Sequence, residues 1–298
     1  MHIVKYRKIW FSLSALLLAA SFYAIFNYGF ELSIDFKGGT LTEVRYTERP
    51  TKEEVESFVS SNDLGGFSVR ETGENGYVIR TKELNDEDKD SLLNSLSLEA
   101  LSGTIERQTT IGPTAGAELR SKATKAIIVV VAVIVLFITF AFRKVSKPLP
   151  SWKYGLATVI ALVHDVVIPT GVFVVMGHLA GVEIDLLFVT GLLAILGYSV
   201  HDTIVVFDRV RENLSILSQK GEKESFEVTV GRSVNETLAR SINTSVTILI
   251  TLVALYIFGA LATKTFALLL IIGLVAGTYS SIFIASPLLV TLYKFQKN

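Results

Sequence analysis

Six stretches of this chain are apolar for long enough to cross a lipid bilayer: 9–28, 125–142, 154–176, 186–207, 241–260 and 266–292. A span needs about 20 residues to cover about 30 Å of hydrocarbon. In that medium each backbone polar group must be satisfied within its own segment, so each run can fold only as a helix. The expected fold class is therefore a polytopic α-helical membrane protein with six transmembrane helices. The first run follows Lys5, Arg7 and Lys8 and ends in FNYGF, with no small-residue cleavage site, so it reads as a retained anchor.

Charge is unevenly distributed. Of 28 acidic residues, 18 lie between Glu31 and Glu118. A polar domain is thus inserted between the first and second spans. The chain divides into 1–28 (amino terminus and first span), 29–124 (polar domain and a lead-in helix) and 125–298 (the remaining spans, with loops at 143–153 and 208–240). Basic residues in short loops face the cytoplasm. Arg143, Lys153, Arg209, Arg211, Arg232, Arg240 and Lys294 lie on the same side as the amino terminus. Both termini are then cytoplasmic and the polar domain is extracytoplasmic. A balanced 28 Lys and Arg against 28 Asp and Glu leaves no nucleic-acid footprint, and the absence of cysteine excludes disulfides and thiolate metal sites.

The polar domain reads as β-α-β-β-α-β. LTEVRY alternates as a strand does, Pro50 and Thr51 precede an acidic first turn, GENG joins two short strands, and Asn85 heads a second acidic first turn before Leu92, Leu93, Leu96 and Leu98. That order predicts a small ferredoxin-like α+β domain. It carries no histidine and no catalytic cluster. IGPTAGAELRSKATKA then leads into the second span as a stiff amphipathic helix, with Pro113 near its start.

Two His-Asp pairs lie inside apolar spans: His164-Asp165 in the third and His201-Asp202 in the fourth. A charged carboxylate at mid-bilayer costs about 2.5–3.5 kcal/mol even on the lenient insertion scale, so such a group points to an ion or proton pathway, or to a polar grip between helices. In the fifth span Arg240, Asn243, Thr244, Thr247 and Thr251 fall on one stripe. Arg240 and Asp202 lie toward the same, inner side of the membrane and are expected to pair or to compete for a proton. The opposite reading is a structural ion pair that fixes helix register. In the sixth span Gly273, Gly277 and Ser281 recur every fourth residue, which permits close helix approach. No nucleophile–base pair, metal-ligand spacing or phosphate loop is visible, so an enzyme, a cofactor and a metal site are not expected.

Several stretches together resemble the SecF proteins of the SecD/SecF family, within the resistance–nodulation–division superfamily. They are IDFKGGT, IGPTAGAELR, HDVVI, GYSVHDTIVVFDRVREN, VNETLARSINTS and GTYSSIFIASPLL, in order over nearly the whole chain. The resemblance implies an accessory subunit of bacterial protein export in the inner (plasma) membrane. It implies a SecD partner subunit, the SecYEG channel and a translocating unfolded polypeptide as partners, and the proton-motive force as the energy source. It places the family's acid at Asp202 and its base at Arg240, and its Asp-Phe-x-Gly-Gly motif at Asp35, Phe36, Gly38 and Gly39, where a plain turn before the first strand is the simpler reading. His201 stands where the family more often has Asn. A small-molecule exporter of the same superfamily is the alternative, disfavoured by the small size of the polar domain.

Overall fold

The computed structural model describes residues 2–61, 66–97, 103–143, 148–259 and 261–297. Two compact units emerge, one comprising 1–30, 126–182 and 187–298, the other 31–125 together with 183–186.

In the second unit the short helix α3 (Ile34–Lys37) precedes β1 (Gly39–Arg45), α4 (Lys52–Ser60), β2 (Phe67–Thr72), β3 (Gly76–Thr81), α5 (Asp86–Ser97) and β4 (Thr104–Ile111). The sheet is fully antiparallel in the order β2-β3-β1-β4, the ferredoxin-like arrangement expected from the sequence. Thr51 and Glu54 form a reciprocal capping box on α4, and Asn85 accepts from the Asp88 N–H at 2.8 Å at the start of α5. Strand alternation sends Val44, Tyr46, Val69, Tyr77 and Ile79 to the face covered by Val55, Val59, Leu92 and Leu96. Leu98, expected on that apolar face, lies outside the described residues.

The first unit is helical. It holds α1 (His2–Lys5), α2 (Arg7–Tyr28), α7 (Ser151–Ala180), α8 (Leu186–Lys220), α9 (Phe226–Phe258), α10 (Leu261–Ser280), a π-helical turn (Ser281–Ala285) and α11 (Ser286–Lys297), while α6 (Pro113–Ala141) is one continuous helix from the lead-in segment through the second span. Among the described residues six helices are long and apolar enough to cross a membrane, in agreement with the sequence.

Two readings are corrected. Residues 208–240, expected to be a loop, are helical except near 221–225. The helices continue because their polar ends pair: Arg209 bonds Glu236 at 2.6 Å, and Asn213 donates to Ser233 and Glu236 at 2.9 Å. Residues 183–186, assigned by sequence to the membrane half, belong to the α+β unit. Part of the other expected loop, 144–147, lies outside the described residues.

The small-residue stripe packs as expected. A Cβ on Gly273 would fall 2.1 Å from Ile195 Cδ1, and one on Gly277 3.1 Å from Ser199 Cβ, so α10 and α8 approach at contact distance. A second such contact was not foreseen: a Cβ on Gly171 of α7 would lie 2.4 Å from Ser21 Cβ of α2.

Candidate functional site: buried carboxylates in the helical unit

Asp165 lies fully buried on α7. Its Oδ1 is 2.8 Å from His164 Nδ1. Its Oδ2 accepts from Ser199 Oγ on α8 and from Ser280 Oγ, the latter at 2.7 Å, at the end of α10. Three helices thus converge on one carboxyl group, and among the described residues no Lys or Arg is its partner. Donors of this kind replace the water that burial removes. His164 is also buried, its ring stacks on Tyr279 at 5.8 Å, and its Nε2 has no hydrogen-bond partner among the described residues.

The π turn begins at the residue after Ser280. Ser281 Oγ pairs with Thr203 Oγ1 at 2.9 Å and donates to the Ser199 carbonyl at 3.3 Å, while Ser286 Oγ returns to the Ser281 carbonyl at 2.9 Å. A wide π turn loosens the regular backbone ladder, and here side-chain hydroxyls occupy the gap. Ser199, Thr203, Ser280, Ser281 and Ser286 form one buried hydroxyl layer.

Asp202 sits one helical turn beyond Ser199 on α8 and is 8% exposed. Ser245 of α9 neighbours its carboxyl, and Ser245 Oγ meets Thr278 Oγ1 of α10 at 2.7 Å. His201 is exposed. Asp165 therefore borders neutral hydroxyls of α8 and α10, and Asp202 neighbours one of α9.

Arg240 does not join them. Its side chain is exposed and forms no ion pair or hydrogen bond among the described residues, so the pair expected with Asp202 is not made within this chain. The reason is helical phase. Five residues at about 100° each set Arg240 some 140° around α9 from Ser245. Arg240, Asn243, Thr244, Thr247 and Thr251 all lie on the exposed face, as one stripe. The three threonines bond back to carbonyls one turn earlier, at 2.9, 2.9 and 3.2 Å.

The Asp-Phe-x-Gly-Gly motif lies in the other unit. Phe36 is buried. Gly38 (φ 78°) and Gly39 (φ 129°) both have left-handed backbones. A Cβ on Gly38 would be 2.8 Å from Pro113 Cα, and one on Gly39 2.6 Å from the Thr81 carbonyl oxygen. Only glycine suits both demands. Asp35 Oδ2 accepts from the Leu186 N–H at 3.0 Å.

Sequence reasoning singled out the acids but missed Ser199, Ser245 and Ser280. Their signal was present as hydroxyls inside apolar spans, in GYSVHD, INTSVT and GTYSS, where Ser281 was read only as a packing residue. Among the described residues no three His, Asp or Glu side chains gather as metal ligands would.

Six membrane-length helices among the described residues, with a ferredoxin-like domain inserted after the first, define a polytopic membrane protein. Residues 94–295 match the C-terminal domain of SecD/SecF protein-export membrane proteins, and residues 23–48 match the SecD/SecF GG motif. The chain belongs to the SecD/SecF family. It is 41% identical to a protein translocase subunit SecF from Thermobaculum terrenum, covering 97% of this chain and 93% of that one. It is 36% identical to one from Anaerolinea thermophila, with the same two coverages. The crystal structure of SecDF from Thermus thermophilus, a translocon-associated membrane protein, superposes with a TM-score of 0.86 at 31% identity. That match covers 100% of this chain but 39% of the SecDF chain.

Proposed function

We propose that this chain is an accessory subunit of a bacterial protein-export translocase. It couples proton movement through its helical unit to late translocation of unfolded polypeptide, together with a SecD partner and the SecYEG channel. It resides in the inner membrane, with both termini cytoplasmic and the α+β unit outside.

The observation that carries this reading is the placement of Asp202. An acid that is almost buried, bordered by neutral hydroxyls and unpaired with Arg240, is free to gain and lose a proton. A locked ion pair would not be. Arg240 and its polar stripe face outward, which is costly against lipid and is met by a second helical bundle. The relatives' names support the export role, and the SecDF chain, more than twice as long, contains sequence enough for such a bundle. In this mechanism Asp202 takes a proton from outside and releases it inside, Arg240 biases the charged state across the subunit boundary, and Asp165 with His164 holds the helices around the same hydroxyl layer.

The test is release of a translocating protein from vesicles holding this chain and its partner, with and without a proton gradient. Asp202→Asn removes the acceleration by the gradient while the complex still assembles. Native kinetics in that variant overturn the reading.

A further inference from the structure

The loop that opens the fourth span is built into the α+β unit by three independent contacts. Glu183 points its carboxylate, with 10% of its side chain exposed, between Arg80 and Arg70, which also reaches Glu31 at 3.6 Å. Burial pushes the Glu183 carboxyl above the ordinary carboxylate range, and Arg80, Arg70 and Lys37 pull it back. Ile184 forms a parallel bridge with Leu32: its N–H donates to the Glu31 carbonyl at 2.7 Å, and its carbonyl accepts from the Ser33 N–H at 3.0 Å. Finally, Asp35 accepts from the N–H of Leu186, the first residue of α8.

The last contact has a specific meaning. The first N–H groups of a helix have no partner inside it, and a carboxylate there also suits the positive end of the helix dipole. Such a partner normally comes from the residue just before the helix. Here Asp35 comes from a segment about 150 residues earlier. Asp185, the adjacent residue, is engaged as well, so Asp35 adds a long-range tie rather than supplying the sole acid.

The rest of the motif sits at the same junction. Gly38 lies against Gly112 and Pro113, where α6 begins, and a Cβ on Gly116 of α6 would be 2.9 Å from the Gly38 nitrogen. One short motif therefore adjoins the starts of the two helices that carry the second and fourth spans.

We infer that Asp35 is a positioning residue that straps the start of α8 to the α+β unit, so that a shift of the Asp202-bearing helix is transmitted to that unit. The strap stands on its own contacts; its use in transmission rests on the proton-coupling reading above.

Hydrogen–deuterium exchange on the full chain with its partner tests the strap. In Asp35→Ala, exchange across 183–190 accelerates at least about fivefold, the size of effect a lost helix cap produces, while 199–207 is unchanged. Asp35→Asn, which keeps an acceptor oxygen, stays near native. Native exchange in Asp35→Ala overturns the strap.

Gradient-stimulated export tests transmission in the same vesicles. Asp35→Ala loses most of the stimulation but keeps gradient-independent export. Leu32→Cys with Ile184→Cys, added to Asp35→Ala, restores it when oxidised and loses it again on reduction. The chain has no cysteine of its own to compete. Full stimulation in Asp35→Ala with a loosened strap overturns transmission. If Asp202→Asn leaves the gradient response native, the coupling reading falls and transmission with it, and the exchange experiment alone decides the strap.

Discussion

Asp165 carries its carboxyl group where water does not reach, and one imidazole and two hydroxyls make that tolerable. Removing the acceptor strands the His164 and Ser199 groups, while Ser280 Oγ keeps the Gly277 carbonyl at 3.1 Å. Asp165→Ala should destabilise the helical unit by about 2–5 kcal/mol, since each buried donor left without an acceptor costs about 1–3 kcal/mol. Asp165→Asn keeps the volume and one acceptor, and should cost less than half as much. Thermal unfolding of the solubilised complex measures both, and equal melting of Asp165→Ala and the native chain would contradict the assignment. In the α+β unit Tyr46 poses the opposite case. It is 2% exposed, packs edge-on to Tyr77 at 6.1 Å, and its hydroxyl has no partner among the described residues. Burial foremost, then the neighbouring Tyr77, pushes its phenol from 10.0 up to about 12. The folded state thus holds that proton more tightly than the unfolded one. The contribution is complete below pH 10 and is lost as pH rises toward about 12. Tyr46→Phe should leave stability at neutral pH unchanged or slightly higher, because an orphan hydroxyl is removed. It should also flatten the alkaline loss, apart from the share due to Tyr77, whose phenol is raised in the same direction. Exchange protection of β1 and β3 against pH reads this directly.

At the scale of elements, packing of α10 on α8 depends on the absence of side chains. Gly273→Ala places a methyl 2.1 Å from Ile195 Cδ1 and 2.3 Å from its Cγ1. Overpacking of this kind costs about 1–3 kcal/mol. Ile195→Ala in the same chain should recover part of it, so the double variant melts above the value expected from adding the two single effects. Additive effects would show that the two helices do not meet there. The stripe itself was legible in the sequence because its period of four is local. The contact of Gly171 with Ser21 was not, since neither residue belongs to a repeat and only the approach of α2 to α7 joins them. The phase of α9 was half legible. The periodicity that assembled Arg240, Asn243, Thr244, Thr247 and Thr251 into one stripe is a property of the helix. Which way the stripe faces depends on what packs against the rest of α9, where Val230, Val234, Thr237 and Ser241, about a quarter turn around the helix, are buried.

Across the whole molecule, the sequence by itself determined the number of membrane-length helices, the inserted ferredoxin-like domain and the positions of the two buried acids. Each of these rests on a local cause: length of an apolar run, alternation, capping residues, or the cost of a charge in an apolar span. Family membership was legible for the same reason, as short motifs readable in order. Tertiary structure alone decided the partners. Ser199 and Ser280 are 34 and 115 residues from Asp165, and Leu186 is 151 from Asp35. No local pattern marks such pairs, because serine is a common small residue in membrane helices and a backbone N–H has no signature at all. Only the packing of α7, α8 and α10 makes the hydroxyls donors to an acid. Only the incorporation of 183–186 into the α+β unit turns a glycine-rich turn into a tie on the fourth span.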